Sequence, residues 1–229
     1  MGVAEQQLAP SPSTFGYGDC ITWPFRSAAW LSQVVLMSLI GLIPFVGGMA
    51  LLGWVLTAAD GLHEGRAVVP PAGFYLRRGA RLYFVAFIWG LVVAMVVYGS
   101  MFIFFALFFR PGATSGSAFV VAFGGWFAFI AFLGIATHAA FLFIVPAATE
   151  ADERGALRGL NPAPAIADVF KHPKDSFLAA LITYLAWVIG GLGASVCYVG
   201  VLLTLGYGAL IFAAVLYVYE RNTKVIPAQ

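Results

Sequence analysis

The sequence predicts an all-α, polytopic transmembrane helix bundle of about six spans, and three observations carry that expectation. Hydrophobic residues make up 62% of the chain and charged ones only 10%. Soluble domains hold roughly 45–50% and 25%, so too few polar side chains remain to cover a water-facing surface. The apolar residues fall into long runs broken by short gaps rich in Pro and Gly, and mean hydropathy is +0.93. Finally, eleven of the twelve Lys and Arg lie in alternating gaps: Arg26, then Arg66, Arg77, Arg78 and Arg81, then Arg154, Arg158, Lys171 and Lys174, then Arg221 and Lys224. Only Arg110 has the other parity. Short basic loops are retained on the cytoplasmic side, so both termini are expected there. A net charge of +2 gives no reason to invoke nucleic acid.

Residues 1–22 read as a flexible cytoplasmic tail. They lack a basic segment followed by an apolar one, so insertion is expected to begin at the first internal run. Trp23-Pro24-Phe25-Arg26 leads to Trp30 at the interface, where amphipathic rings are favoured. The apolar stretch 29–62 has 34 residues, which as one helix would reach ~50 Å, too long for a hydrocarbon core of about 30 Å. It breaks at Ile43-Pro44-Phe45-Val46-Gly47-Gly48. Two short helices, about 29–43 and 46–62, are expected with a tight turn between them. A re-entrant hairpin is the alternative, and either version returns the chain to the cytoplasmic side.

Gap 63–80, with Pro70-Pro71, Phe74-Tyr75 and Arg77-Arg78, suits a segment lying among the headgroups. A third span covers about 82–109 and a fourth about 117–146, ending at Pro146. A cytoplasmic linker, 149–175, follows; within it 164–172 reads as a short surface helix carrying Asp168 and Lys171. Pairing of Asp168 with Lys171 or His172 is expected there. The fifth span, about 176–190, ends in Gly190-Gly191-Leu192-Gly193, and the sixth covers about 197–219. Residues 23–221 thus form one helical domain, with 222–229 as a C-terminal tail. Cys20 and Cys197 fall on opposite sides of the membrane in this threading and are too far apart for a disulfide.

The two ends of the chain resemble each other. Phe45-Val46-Gly47 before Leu52-Gly53-Trp54 has the spacing of Tyr198-Val199-Gly200 before Leu205-Gly206-Tyr207. An even number of crossings separates the units, so they would relate as a parallel internal repeat.

Trp23-Pro24-Phe25-Arg26 with Trp30-Leu31, Ile43-Pro44-Phe45-Val46-Gly47 and Gly53-Trp54 also carry a likeness beyond the chain. So do Pro71 to Gly79, and Phe170-Lys171-His172-Pro173 with Phe177-Leu178. Over residues 15–220 the chain resembles the prokaryotic polytopic membrane proteins catalogued as domain of unknown function 4013. The resemblance implies a prokaryotic inner-membrane location and a fold, but no activity. It departs at 70–81, where arginines stand in place of the acidic residues usual in that family.

Among residues that could carry chemistry, His138 is the single histidine inside an expected span. A neutral imidazole there could hydrogen-bond a neighbouring helix with Thr137, ligate a haem or chlorin, or relay protons. Gln33, Thr137 and His138 are the candidates for a polar path. The breaks at Pro44, Gly47 and Gly48 and at Gly190 and Gly191 read as turns, or as the interrupted helices of a transporter site. Gly53 and Gly206 join them as positions for close helix packing. The phenylalanines Phe102, Phe104, Phe105, Phe108 and Phe109 surround their helix and suit lipid, a partner subunit or a pigment. No nucleophile–base set, phosphate loop or metal-ligand spacing occurs.

The expected partners are the bilayer and other membrane protein subunits or a second copy. No cofactor is expected unless His138 holds haem or chlorin. The reading is a non-catalytic accessory subunit, with a small transporter or channel as alternative and a cofactor-bearing electron-transfer or light-harvesting subunit behind it. A lipid-modifying enzyme built on dispersed residues comes last.

Overall fold

A computed structural model of the chain describes residues 15–108, 116–195 and 200–224, and among the described residues it is all-helical, with no strand. The chain divides into two compact units: Met1–Val85 with Phe141–Gln229, and Ala86–Ala140.

In the larger unit the chain is packed from Phe15 onward, so residues 15–22 are not part of the flexible tail expected over 1–22. Phe15, Cys20 and Trp23 are buried. Helix α1 (Asp19–Thr22) and a 3-10 turn (Trp23–Arg26) are pinned by two indole and phenol bonds. The Trp23 Nε1–H donates to the Leu210 carbonyl at 3.2 Å, and the Tyr207 hydroxyl donates to the Ile21 carbonyl at 2.7 Å. Polar composition hid this because the anchoring residues are aromatics whose partners lie almost the whole chain away.

Helices α2 (Trp30–Gly41) and α3 (Val46–His63) form the hairpin expected at Pro44. Pro44 falls after α2 has ended, where its missing N–H interrupts no helical bond. The Val46 N–H donates to the Pro44 carbonyl at 2.7 Å, closing a three-residue turn. Its centre, Phe45, has φ +60° and ψ −57°, the rare strained form of that turn. At 12 residues α2 is about 18 Å long, short of a hydrocarbon core.

Helix α4 (Leu76–Phe108) begins six residues before the third span was expected. Arg77, Arg78 and Arg81 therefore sit in its first turns and not in a headgroup loop. Helix α5 (Gly116–Arg154) runs through Pro146, so the proline does not end the fourth run. A proline inside an apolar helix costs one backbone bond and can be accommodated where neighbouring groups take up the freed polar atoms. The bond lost is the one to the Leu142 carbonyl, four residues earlier; separately, the Thr149 hydroxyl donates to the Pro146 carbonyl at 2.8 Å. After α6 (Ala156–Gly159) and α7 (Pro162–Lys171), helix α8 (Pro173–Ser195) passes through Gly190-Gly191-Leu192-Gly193 without a break. The turn expected there is corrected: those glycines are helical. In α7, Asn161 Oδ1 caps the first turn by accepting from the Ala163 N–H at 3.0 Å.

Helix α9 (Val201–Thr223) is the axis of this unit and packs against α8, α2 and α3. Its residues Leu210, Ile211, Ala213, Ala214, Val215 and Leu216 are all buried. A helix apolar all round belongs in the middle of a bundle. Close approach is set by glycine: a Cβ at Gly206 would stand 2.7 Å from the Val34 carbonyl oxygen and 2.8 Å from Ser38 Oγ. Ser38 uses that proximity to accept the Gly206 N–H at 2.8 Å.

In the smaller unit, the stretch of α4 from Ala86 and of α5 up to Ala140 are apolar along their length. Phe105 of the first and Trp126 of the second bring their rings to 5.4 Å. Most large side chains point away from both: Tyr98 is 70% exposed, Phe102 74% and Ile135 72%. Among the described residues, four helical stretches are long and apolar enough to cross a membrane: Leu76–Ile103, Phe123–Arg154, Pro173–Gly193 and Val201–Thr223. Apolar side chains exposed on such helices are compatible with lipid contact.

Candidate functional site

Polar chemistry concentrates at one end of the larger unit, where α3 and α5 finish, α4 starts and α9 finishes. Arg78 is its hub. Its guanidinium donates from Nε to Asp152 Oδ1 at 2.8 Å and from Nη2 to Asp60 Oδ1 at 3.2 Å, with further bonds from Nη1 to Asp60 and Nη2 to Asp152. Both carboxylates are thus met by a two-pronged fork, the geometry that arginine supplies and lysine does not. The arrangement answers helix-end electrostatics. A cation at the start of α4 opposes the helix dipole, and carboxylates at the ends of α3 and α5 oppose theirs. Drawing the three together removes all three conflicts.

A second network lies at the same ends. His63 meets Glu220 at 3.0 Å, Lys224 pairs with Glu153, and Lys224 Nζ lies 3.4 Å from Glu220. Arg154 pairs with Glu150, one turn earlier on α5, at 2.9 Å. Asn222 donates to Asp175 Oδ1 at 2.8 Å, linking the end of α9 to the start of α8. Three of the gaps of one parity, those holding Arg78, Asp152 with Glu153, and Lys224, are therefore joined to one another by charge pairs.

The N-terminal segment adds a third cluster. Asp19 accepts from the Gly16 N–H at 2.9 Å and pairs with Arg26 at 2.7 Å. Chiefly through that backbone bond, its carboxyl is held below the usual carboxylate range. Burial pushes the Cys20 thiol up to about 12. Burial, helped by Asp175, raises the Tyr17 phenol, whose hydroxyl donates to the Asp175 carbonyl at 3.1 Å.

The residues singled out from the sequence are not brought to one place. Gln33 serves the fold: its Oε1 accepts the Ala72 N–H at 2.6 Å, tying α2 to the segment before α4. Thr137 and His138 lie outside the residues whose side chains are described, as do those of Phe104, Phe108 and Phe109 and all of Cys197. Gly47 closes against the end of α2, where a Cβ would come 2.6 Å from the Gly41 carbonyl oxygen, and Gly48 faces the Tyr83 ring. At Gly53 a Cβ would collide with the Tyr75 carbonyl, and at Gly79 with Met49 and with Gly53 itself, so α3 and α4 cross glycine on glycine. Gly190 and Gly191 have open space around them. The Gly190 carbonyl accepts the Thr204 hydroxyl at 3.1 Å, a bond between α8 and α9.

The sequence reading missed Asp60, Arg78 and Asp152 as a set. One signal was present: Asp60 closes an apolar helix with no Lys or Arg within four residues, so its partner had to come from elsewhere. The expected pairing of Asp168 with Lys171 or His172 is not among the described contacts; the Asp168 carbonyl instead accepts the His172 N–H at 2.9 Å. Among the described residues, no group of three or more His, Cys, Asp or Glu is placed to hold a metal ion. What the charged end does chemically is to clamp helix ends.

No protein family, curated protein or solved structure matches this chain.

Proposed function

We propose that this chain is a non-catalytic subunit of a larger membrane complex, in which the α4–α5 hairpin of the smaller unit packs against other membrane proteins. The carrying observation is that hairpin's surface. Its large apolar side chains are exposed on turn after turn, and Gly90, Gly99 and Gly124 have nothing within 4 Å of a Cβ built on them. Bare glycines on an apolar helix allow a neighbouring helix backbone to approach closely, which lipid tails exploit far less. By contrast, the charged end is occupied in holding the larger unit together, and Gln33 is committed to a loop.

The topology that accompanies this reading keeps both termini cytoplasmic in a prokaryotic inner membrane. The four long helices cross, and α2–α3 dips in and returns as a re-entrant hairpin. The short length of α2 supports the hairpin over two further full spans, and the common end of the ion pairs supports one side for the last three basic gaps. The parallel repeat belongs to the same proposal. Gly47 and Gly200 each press on the helix before them, while Gly53 and Gly206 each sit at a crossing with a third segment. The likeness to the uncharacterised family 4013 is part of it too.

Purification from native membranes in mild detergent tests the function: stable co-migration with larger partners is expected, and migration of the chain alone overturns it. A cysteine placed at Gly112 should react with an impermeant label from outside and one at Gly155 should not; the reverse result inverts the topology. The subunit reading assigns no pigment. A haem or chlorin absorbance band in the pure protein, lost in His138→Ala, would replace it with the cofactor-bearing one.

A further inference from the structure

We propose that the segment from α6 to the start of α8 is a lipid-recognition element that lies in the headgroup layer and prefers anionic phospholipid. Its position follows from connectivity. It joins Arg154, the end of one membrane-length stretch, to Pro173, the start of another, so it has to remain at a membrane surface. Its composition then selects the headgroup layer over water. Leu157 is 83% exposed and Phe170 80%, and Ile166 lies one turn before Phe170 on the same side of α7. Phe177, at the start of α8, is also exposed. Only Ala165 of α7 is buried against the rest of the unit. A helix that shows water its phenylalanine and isoleucine while burying an alanine is oriented for a different solvent.

The charge leans the same way. Between Ala156 and Phe177 stand the cations Arg158, Lys171 and Lys174 and two carboxylates, Asp168 and Asp175, the second of which accepts from the Asn222 amide. All three cations are exposed, and among the described residues none of them forms an ion pair, whereas Arg26, Arg66, Arg78, Arg154 and Lys224 all do. Exposed apolar anchors that bracket unpaired cations are the pattern of an interfacial helix whose rings sink to the acyl boundary while its cations meet phosphate. The charge complement is the anionic leaflet, and each basic residue at such a surface shifts partitioning roughly fivefold. This inference needs the bilayer but no protein partner, so it stands or falls separately from the subunit reading.

The experiment uses the full chain, purified and reconstituted in vesicles. Spin-labelled phosphatidylglycerol and phosphatidylcholine report the relative association of each lipid with the protein. The wild-type chain should favour phosphatidylglycerol several-fold, and R158Q/K171Q/K174Q should abolish most of that preference. An unchanged preference in the triple variant overturns the proposal. Because these side chains are exposed, the variant should keep the wild-type melting temperature, which is checked in parallel. Depth is read with F170C, carrying a bimane label in a chain with Cys20→Ala and Cys197→Ala. Quenching by bromolipid and protection from aqueous iodide are expected. Free quenching by iodide with none by bromolipid means that the segment faces water or awaits a soluble partner, and also overturns the proposal.

Discussion

Gly53 and Gly79 show what a single hydrogen in place of a methyl group decides in this bundle. At Gly53 a Cβ would enter the Tyr75 backbone just before α4, and at Gly79 the backbone of α3, and backbone cannot swing aside as a long side chain can. Gly53→Ala or Gly79→Ala should therefore lower the stability of the purified chain by about 1–3 kcal/mol, the range for overpacking a tight contact. Gly190→Ala is the matched control. It is equally helical but has open space around it, so the intrinsic preference of helices for alanine should leave it neutral or up to ~1 kcal/mol more stable. Thermal melts in one detergent read all three, and equal losses would mean that helix propensity and not the crossing governs. Arg78 makes the complementary case for charge. Arg78→Gln leaves Asp60 and Asp152 side by side without their shared cation. Since Asp60 is 43% exposed, water screens part of the penalty, and a loss of about 1–2 kcal/mol is expected. Arg78→Lys should recover only part of it, because an ammonium cannot fork to both carboxylates.

At the scale of elements, the local punctuation was legible and the long-range partnerships were not. The hairpin at Pro44 could be read because its cause is local: a residue with no N–H followed by two glycines. Pro146 and Gly190-Gly191 carry the same letters with the opposite outcome. In α5 the proline removes a single backbone donor and the helix continues on both sides of it, and in α8 a hydroxyl from α9 meets the Gly190 carbonyl. Apolar surroundings keep a helix intact where water would compete for its bonds. The charged clamp was illegible for a simpler reason: Arg78 and Asp152 are 74 residues apart, and no periodicity links them. The N-terminal segment, read as tail, is also held at a distance, by Trp23 and Tyr207. Its local lock is Asp19, whose carboxyl the Gly16 N–H holds below the ordinary range. A depressed folded value means that this contribution is complete above the unfolded carboxylate pKa and is lost as pH falls through the folded one. Acidification below about pH 4 should thus loosen the segment. The buried Cys20 thiol, with its pKa pushed up to about 12, reports the loosening at neutral pH. In a Cys197→Ala chain, alkylation of Cys20 should be slow at pH 7.5 and markedly faster in Asp19→Asn, through the loosened segment and through loss of the Asp19 charge that helps burial hold the thiol up. Equal rates would remove Asp19 from the docking.

For the whole molecule, the division of labour between the two units makes the last prediction. In the larger unit the glycines at the α3–α4 and α2–α9 crossings are filled: Gly53, Gly79 and Gly206 are each pressed against another backbone, whereas Gly190 and Gly191 of α8 are open. Those of the smaller unit, Gly90 and Gly99 on α4, face open space amid exposed apolar side chains. If lipid alone surrounds that hairpin, a leucine at either site exchanges hydrogen for a side chain that tails solvate equally well, and nothing measurable changes. If another membrane protein packs there, the same leucine blocks the close approach that bare glycine permits. Gly90→Leu and Gly99→Leu should then leave the melting temperature of the isolated chain within a degree or two of wild type, or raise it slightly through helix propensity. The same variants should lose co-migration with the native complex. A variant that loses stability as well would place these glycines inside the chain's own packing. One that retains both stability and partners would assign the surface to lipid.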